Sequence, residues 1–116
     1  MCAVGSTAPH MVHTAMPSET IAVGADHAGV DLKNKLKEEL VRKGYSVLDL
    51  GTNTEDSVDY PDFGTAVAKA VADGRAGRGV LVCGTGIGMS IAANRHPGIR
   101  AAVVHCDEEA GLARAH

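Results

Sequence analysis

Cys83 closes a short apolar run in LVCGTGIGMS (81–90), and glycines follow at 84, 86 and 88. A thiol in that place is a candidate base. Glycines between a strand and a helix let several backbone N–H groups converge on one concavity, where an anion or a developing oxyanion is stabilised. A helix N-terminus also favours thiolate over thiol, against a free-cysteine pKa of ~8.5. The spacing is not a dinucleotide fingerprint, which needs glycine where Met89 stands, and no Gly-Lys-Ser/Thr follows to make a P-loop. A small buried core residue is the competing reading of Cys83.

Two other polar groups stand where chemistry is feasible. GADHAG (24–29) places Asp26 and His27 at the end of an apolar run, the first as a ligand contact or a helix N-cap. His116 is the last residue, and by itself reads as a frayed terminal side chain.

These groups need a scaffold that brings them together. TIAVGA (20–25) is a β-type run. After it, Leu32, Leu36 and Leu40 recur on one helical face, with Glu38 and Glu39 four residues before Arg42 and Lys43, and Gly44 as a stop. YSVLDLG (45–51) reads as a second strand. A polar loop then leads to a helix with Phe63, Ala66, Val67, Ala70 and Val71 at helical spacing. RGVLVCG (78–84) is a nearly all-apolar third strand, as expected of a central parallel strand. A helix over IGMSIAANR (87–95), a strand over IRAAVVHC (99–106) and a helix over DEEAGLARAH (107–116) complete the order.

Strands alternating with helices predict an α/β fold: a parallel sheet with helices on both faces. Such sheets bind ligands outside the carboxyl ends of their strands. Asp26-His27, Cys83 and His105-Cys106 all stand at such ends. Residues 1–19 show no period and read as a flexible leader before one domain over 20–116.

Composition removes several function classes. The net charge is −3 without a basic tract, and aromatics are 3%, so neither a phosphate-tracking surface nor a stacking platform for nucleic acid is present. No apolar run reaches the ~18–20 residues of a membrane span. Three dispersed cysteines, with no C-x-x-C pair, read as reduced thiols of a cytoplasmic protein.

GADHAG, DLGT, DYPDFG, CGTGIGMSIAANR and GIRAAVVH, in this order over residues 20–116, resemble the ribose-5-phosphate isomerase B family, which includes galactose-6-phosphate isomerase subunits. The resemblance implies a flavodoxin-like (Rossmann-like) sheet and an aldose–ketose isomerase that uses neither metal nor cofactor. It implies a homodimer or a dimer of dimers, and ribose 5-phosphate and ribulose 5-phosphate as the interconverted sugars. Cys83 matches the catalytic base, and Gly84, Gly86, Ile87 and Gly88 lie in the matching anion hole. Thr85 and His116 match the pair associated with opening the sugar ring. Asp26, His27 and Tyr60 match substrate-contacting positions, and Asn94 matches a position beside the glycine turn. Cysteine at 83 with methionine at 89 resembles the cysteine-base branch rather than the branch with glycine and glutamate there.

The pattern departs at both ends. Family members continue for a few dozen residues past the position of His116, with a fifth strand, a closing helix and phosphate-gripping arginines. The expectation is therefore four strands with the family's fifth strand missing, in a domain incomplete at its C-terminus, whose last strand is an open sheet edge. Arg95, Arg100 and Arg114 carry no ground for the phosphate role. Two alternatives stay beside the pentose-phosphate isomerase: an isomerase of a six-carbon sugar phosphate, and a non-catalytic phosphosugar-binding module. A redox-sensing thiol is a further reading, in which Cys106 would have to approach Cys83 in space.

Overall fold

The computed structural model describes residues 1–6, 19–51 and 60–115. The elements run β1 (Cys2–Ser6), β2 (Thr20–Ala25), a 3₁₀ turn (His27–Gly29), α1 (Val30–Arg42), β3 (Ser46–Asp49), α2 (Tyr60–Ala72), β4 (Arg78–Val82), α3 (Ile87–Asn94), β5 (Ile99–Val103) and α4 (Asp107–Ala115). From residue 20 onward this is the expected alternation of strands and helices. Local chemistry accounts for it. Pro61 stands in the first turn of α2, where its missing N–H costs nothing. Gly44 ends α1 at φ 94°, donating to the Val41 carbonyl while Tyr45 donates to that of Leu40.

The strand count departs from expectation. The sheet has five strands in the order β3-β2-β4-β1-β5. The expectation of four strands with a fifth missing is not borne out: the fifth is Cys2–Ser6, part of the segment read as a flexible leader. β2 pairs parallel with β3 and β4, whereas β1 runs antiparallel to both β4 and β5 and so separates them. The sheet is mixed, with a parallel core. The physical reason is edge satisfaction: β1 supplies backbone partners to β4 on one side and β5 on the other. Its side chains follow the two-residue period, with Cys2 and Val4 buried and Ala3 and Gly5 half-buried. β5 remains the outer strand, as expected of an edge.

Helices α2 and α3 cover one face of the sheet, and α1 packs on β2, β3 and β4. The core joins Cys2, Val4, Ala22, Val67, Ala68, Ala70, Val71, Leu81, Met89 and Ala93. Branched aliphatics and alanines fill it, as a chain so poor in aromatics requires. α1 sits differently from its leucine stripe. Leu32 is 47% exposed, while Lys33 is fully buried. Leu36 and Leu40 are half-buried beside it. A buried ion pair sets this rotation, as described below. A groove of about 800 Å³ lies between α1 and α4, bordered by Leu40, Tyr45, Arg78, Arg100 and Ala113. No helix among the described residues is long and apolar enough to cross a membrane.

Candidate active site

The parallel strands β2, β3 and β4 present their carboxyl ends on one side of the sheet. β4 ends at Val82, and Cys83 begins the turn into α3. The turn closes on itself: the Gly86 N–H donates to Cys83 Sγ at 2.9 Å. Gly86 takes φ 82°, a left-handed conformation that side chains disfavour, and forms the N-cap of α3. The Ile87 N–H donates to Thr85 Oγ1 at 3.2 Å. Gly84 and Thr85 are exposed, Cys83 and Gly88 half-buried, and Gly86 buried. The thiol is thus held between solvent and core at the mouth of a helix N-terminus. Such a place offers a base, a hydroxyl and backbone donors to one bound molecule.

Asp26 joins this group through the backbone: its N–H donates to the Val82 carbonyl at 3.1 Å. Its side chain is half-buried and accepts the Gly29 N–H at 2.9 Å, so it caps the 3₁₀ turn. The cap reading of Asp26 therefore holds in the structure, at a position next to Cys83. His27 and Tyr60 open the 3₁₀ turn and α2. Their side chains, and all of His116, lie outside the described residues.

Ile87 and Ile91 project from α3, 57% and 53% exposed. Asn94 does not join the turn. It ends α3, and its side chain clamps β5, donating from Nδ2 to the Ala101 carbonyl at 2.9 Å and accepting the Ala101 N–H at Oδ1 at 2.8 Å. Eight helical residues span about 12 Å, so Asn94 belongs to the opposite end of α3. Its amide mimics a neighbouring strand and satisfies part of the open edge of β5. His105 is exposed, with its backbone N–H donating to Glu109 Oε2 at 3.0 Å and its ring Nδ1 3.4 Å from the same oxygen.

A further group at this end of the sheet escaped the sequence reading. Lys33 Nζ donates to the Asp49 carboxylate at 3.0 and 3.1 Å, Lys37 lies 3.4 Å from Oδ2, and the Gly51 N–H donates to Oδ1 at 3.1 Å. Burial raises the Asp49 pKa, but the hydrogen bonds from Lys33, Gly51 and Lys37, with the Lys33 charge, outweigh it and hold the carboxyl below its ordinary 3.8. Three lysines on α1, at 33, 35 and 37, look alike in sequence. Only the position of Lys33 opposite the end of β3 singles it out. Among the described residues, no group of three or more His, Cys, Asp or Glu side chains could hold a metal ion.

The geometry has close relatives. The family described as Ribose/Galactose Isomerase matches residues 21–116. The chain is 47% identical over 96 residues to ribose-5-phosphate isomerase B of Escherichia coli, covering 83% of this chain and 64% of that protein. It is 47% identical over 94 residues to a galactose-6-phosphate isomerase subunit of Clostridium acetobutylicum, covering 81% of this chain and 53% of the subunit. The solved ribose-5-phosphate isomerase B of Clostridium thermocellum superposes with a TM-score of 0.67 at 52% identity, over 68% of this chain and 53% of that one. The chain thus spans less than two thirds of the length of each of these proteins. With the matching α/β architecture and a match that runs through the whole glycine turn, the chain belongs to the ribose/galactose isomerase family.

Proposed function

We propose that this domain carries the proton-transfer machinery of an aldose–ketose isomerase that interconverts ribose 5-phosphate and ribulose 5-phosphate. The observation that carries the reading is Cys83 Sγ at the carboxyl end of β4, bonded to the Gly86 N–H at 2.9 Å and flanked by the exposed backbone of Gly84 and Thr85. Cys83 as thiolate takes the proton from C2 of the open-chain aldose. The electron pair moves into a C1–C2 double bond, and the aldehyde oxygen gains negative charge to give a cis-enediolate. The N–H groups of the turn stabilise that charge. Return of the proton to C1, with the carbonyl forming at C2, yields the ketose. The Thr85 hydroxyl, with His116, serves the earlier opening of the furanose ring. Asp26, His27 and Tyr60, which match the family's substrate-contacting positions, are the residues assigned to the sugar. No metal or cofactor takes part in this scheme.

The same identity, 47%, to a pentose-phosphate enzyme and to a galactose-6-phosphate isomerase subunit supports a six-carbon sugar phosphate as the second reading. Either substrate would use Cys83 as base beside the same turn. The exposed pair Ile87 and Ile91, one helical turn apart and next to the thiol, supports a homodimer whose interface borders the site. Unpaired thiols fit a cytoplasmic setting.

The test is ketose formation from ribose 5-phosphate and, separately, galactose 6-phosphate, by this chain and by Cys83→Ala purified identically. Loss of turnover in the variant, with sugar-phosphate affinity retained, is expected. Equal turnover in both would reject Cys83 as the base. Affinity without turnover in either would favour the binding-module reading.

A further inference from the structure

β1 brings a second thiol towards Cys83. Cys2 stands directly opposite Leu81 in the antiparallel pair. Cys83 lies two residues beyond Leu81, so the period of two directs it to the same face. Cys2 and Leu81 are fully buried in one cluster, and Cys83 packs against that cluster. Diagonal neighbours of this kind have Cα atoms about 7–8 Å apart, with Cβ atoms closer. A disulfide needs at most about 7 Å between Cα atoms. Cys83 is already outside the ladder of β4, which ends at Val82, so a shift of roughly an ångström in the turn brings it into range.

The two thiols differ in access. Cys83 is half-buried at the turn, whereas Cys2 is fully buried. Burial pushes the Cys2 thiol up to about 11, so at neutral pH it stays protonated and shielded from oxidants. Cys106 is exposed beyond β5, and the intervening β1 puts β4 and β5 about 10 Å apart. The thiol on the strand next to β4 is Cys2, and Cys106 lies beyond the outer strand.

We infer that Cys2 and Cys83 form a reversible disulfide that removes Cys83 from proton-transfer chemistry. The oxidant is a hydroperoxide. The Cys83 thiolate attacks the terminal peroxide oxygen, the O–O bond breaks, and Cys83 becomes a sulfenic acid as the alcohol, or water from hydrogen peroxide, leaves. Cys2 sulfur then attacks Cys83 Sγ and loses its proton. The S–S bond forms, the S–O bond breaks, and water departs. Two thiols and one hydroperoxide become one disulfide, one alcohol and one water. Proximity offsets the small thiolate fraction of Cys2. A dithiol reductant reverses the link. The effect on catalysis rests on the isomerase assignment of Cys83; the cross-link does not.

The experiment treats the full chain with one equivalent of hydrogen peroxide for the cross-link, and with an excess for sulfinic acid, which consumes two, and maps its peptides without reduction by mass spectrometry. A Cys2–Cys83 linked peptide is expected, lost on dithiothreitol treatment and unchanged in Cys106→Ser. In Cys2→Ser and Cys2→Ala the link is absent, and Cys83 proceeds several-fold faster to the sulfinic acid. A Cys83–Cys106 link, a disulfide between two chains, or equal sulfinic acid formation with and without Cys2 would overturn the proposal. Turnover measured on the same samples then tests the isomerase assignment separately.

Discussion

The carboxyl ends of β3 and β4 solve opposite problems with similar local chemistry. At the end of β3, the Asp49 carboxylate is consumed: Lys33, Lys37 and the Gly51 N–H all bind it, and Lys33 is fully buried. At the end of β4, Cys83 receives one N–H from Gly86, while Gly84 and Thr85 stay exposed. The first end is a clamp that fixes α1 on the sheet. The second leaves the thiol with one N–H partner beside exposed residues at a helix N-terminus. A buried charge makes its partner costly to remove, whereas donors at an open helix N-terminus can receive an anion.

Four measurements can break or sharpen this contrast. Cys83→Ala should lower isomerase turnover about 10²–10⁴-fold, the usual weight of a general base. Its urea midpoint should stay close to that of the parent chain. A large loss of stability with turnover retained would make Cys83 a framework residue instead. Asp49→Ala should act the other way. It leaves Lys33 buried without its carboxylate, a loss of about 3–5 kcal/mol in denaturant unfolding. Combining Lys33→Met with Asp49→Leu should recover much of that loss, because no charge then remains buried. A cost below about 1 kcal/mol for Asp49→Ala, the size of a surface pair, would dissolve the clamp.

The pH dependence separates the two ends by sign. The folded Asp49 pKa is depressed, so its contribution is complete above the unfolded value near 3.8 and fades as pH falls through the lower folded value. Cys2, packed under the β4 end, is raised from 9.0 to about 11. Below 9 both states hold the proton, and stability is undiminished. Between 9 and 11 the unfolded chain releases it first, so stability should drop by about 2–3 kcal/mol as pH rises. Thermal melts across that range, repeated with Cys2→Ala, check it: the variant should lose this part of the alkaline decline.

The smallest effect lies within the glycine turn. Gly86→Ala puts a side chain at φ 82°, with its Cβ 3.2 Å from the Met1 carbonyl oxygen, and should cost about 1–2 kcal/mol. Gly84→Ala meets nothing within 4 Å and should stay within about 0.5 kcal/mol. Equal costs would mean that the turn is not held by Gly86.

Much of this architecture is local and therefore legible in the residues. The β-branched runs, the stop at Gly44, and the alternation after residue 20 follow from propensity and turn chemistry. So does Cys83 at a strand end, because a strand, three glycines and a helix must put that thiol at the turn. Asn94 was harder. Its place in the motif suggested the turn, yet helix length carries it to the far end of α3, where β5 needs hydrogen-bond partners. Lys33 was harder still, since the leucine spacing of α1 pointed to Leu32 instead.

The sequence by itself determined the order of elements from β2 to α4, the family, and the chemistry available at residues 83 to 88, because each depends on neighbours within a few positions. Only the tertiary structure decided that Cys2–Ser6 enters the sheet between β4 and β5, that Cys2 pairs with Leu81 two residues before Cys83, and that Lys33 meets Asp49. Each of these joins residues distant in the chain through strand pairing or burial, and no local pattern states which distant edge or charge will be the partner.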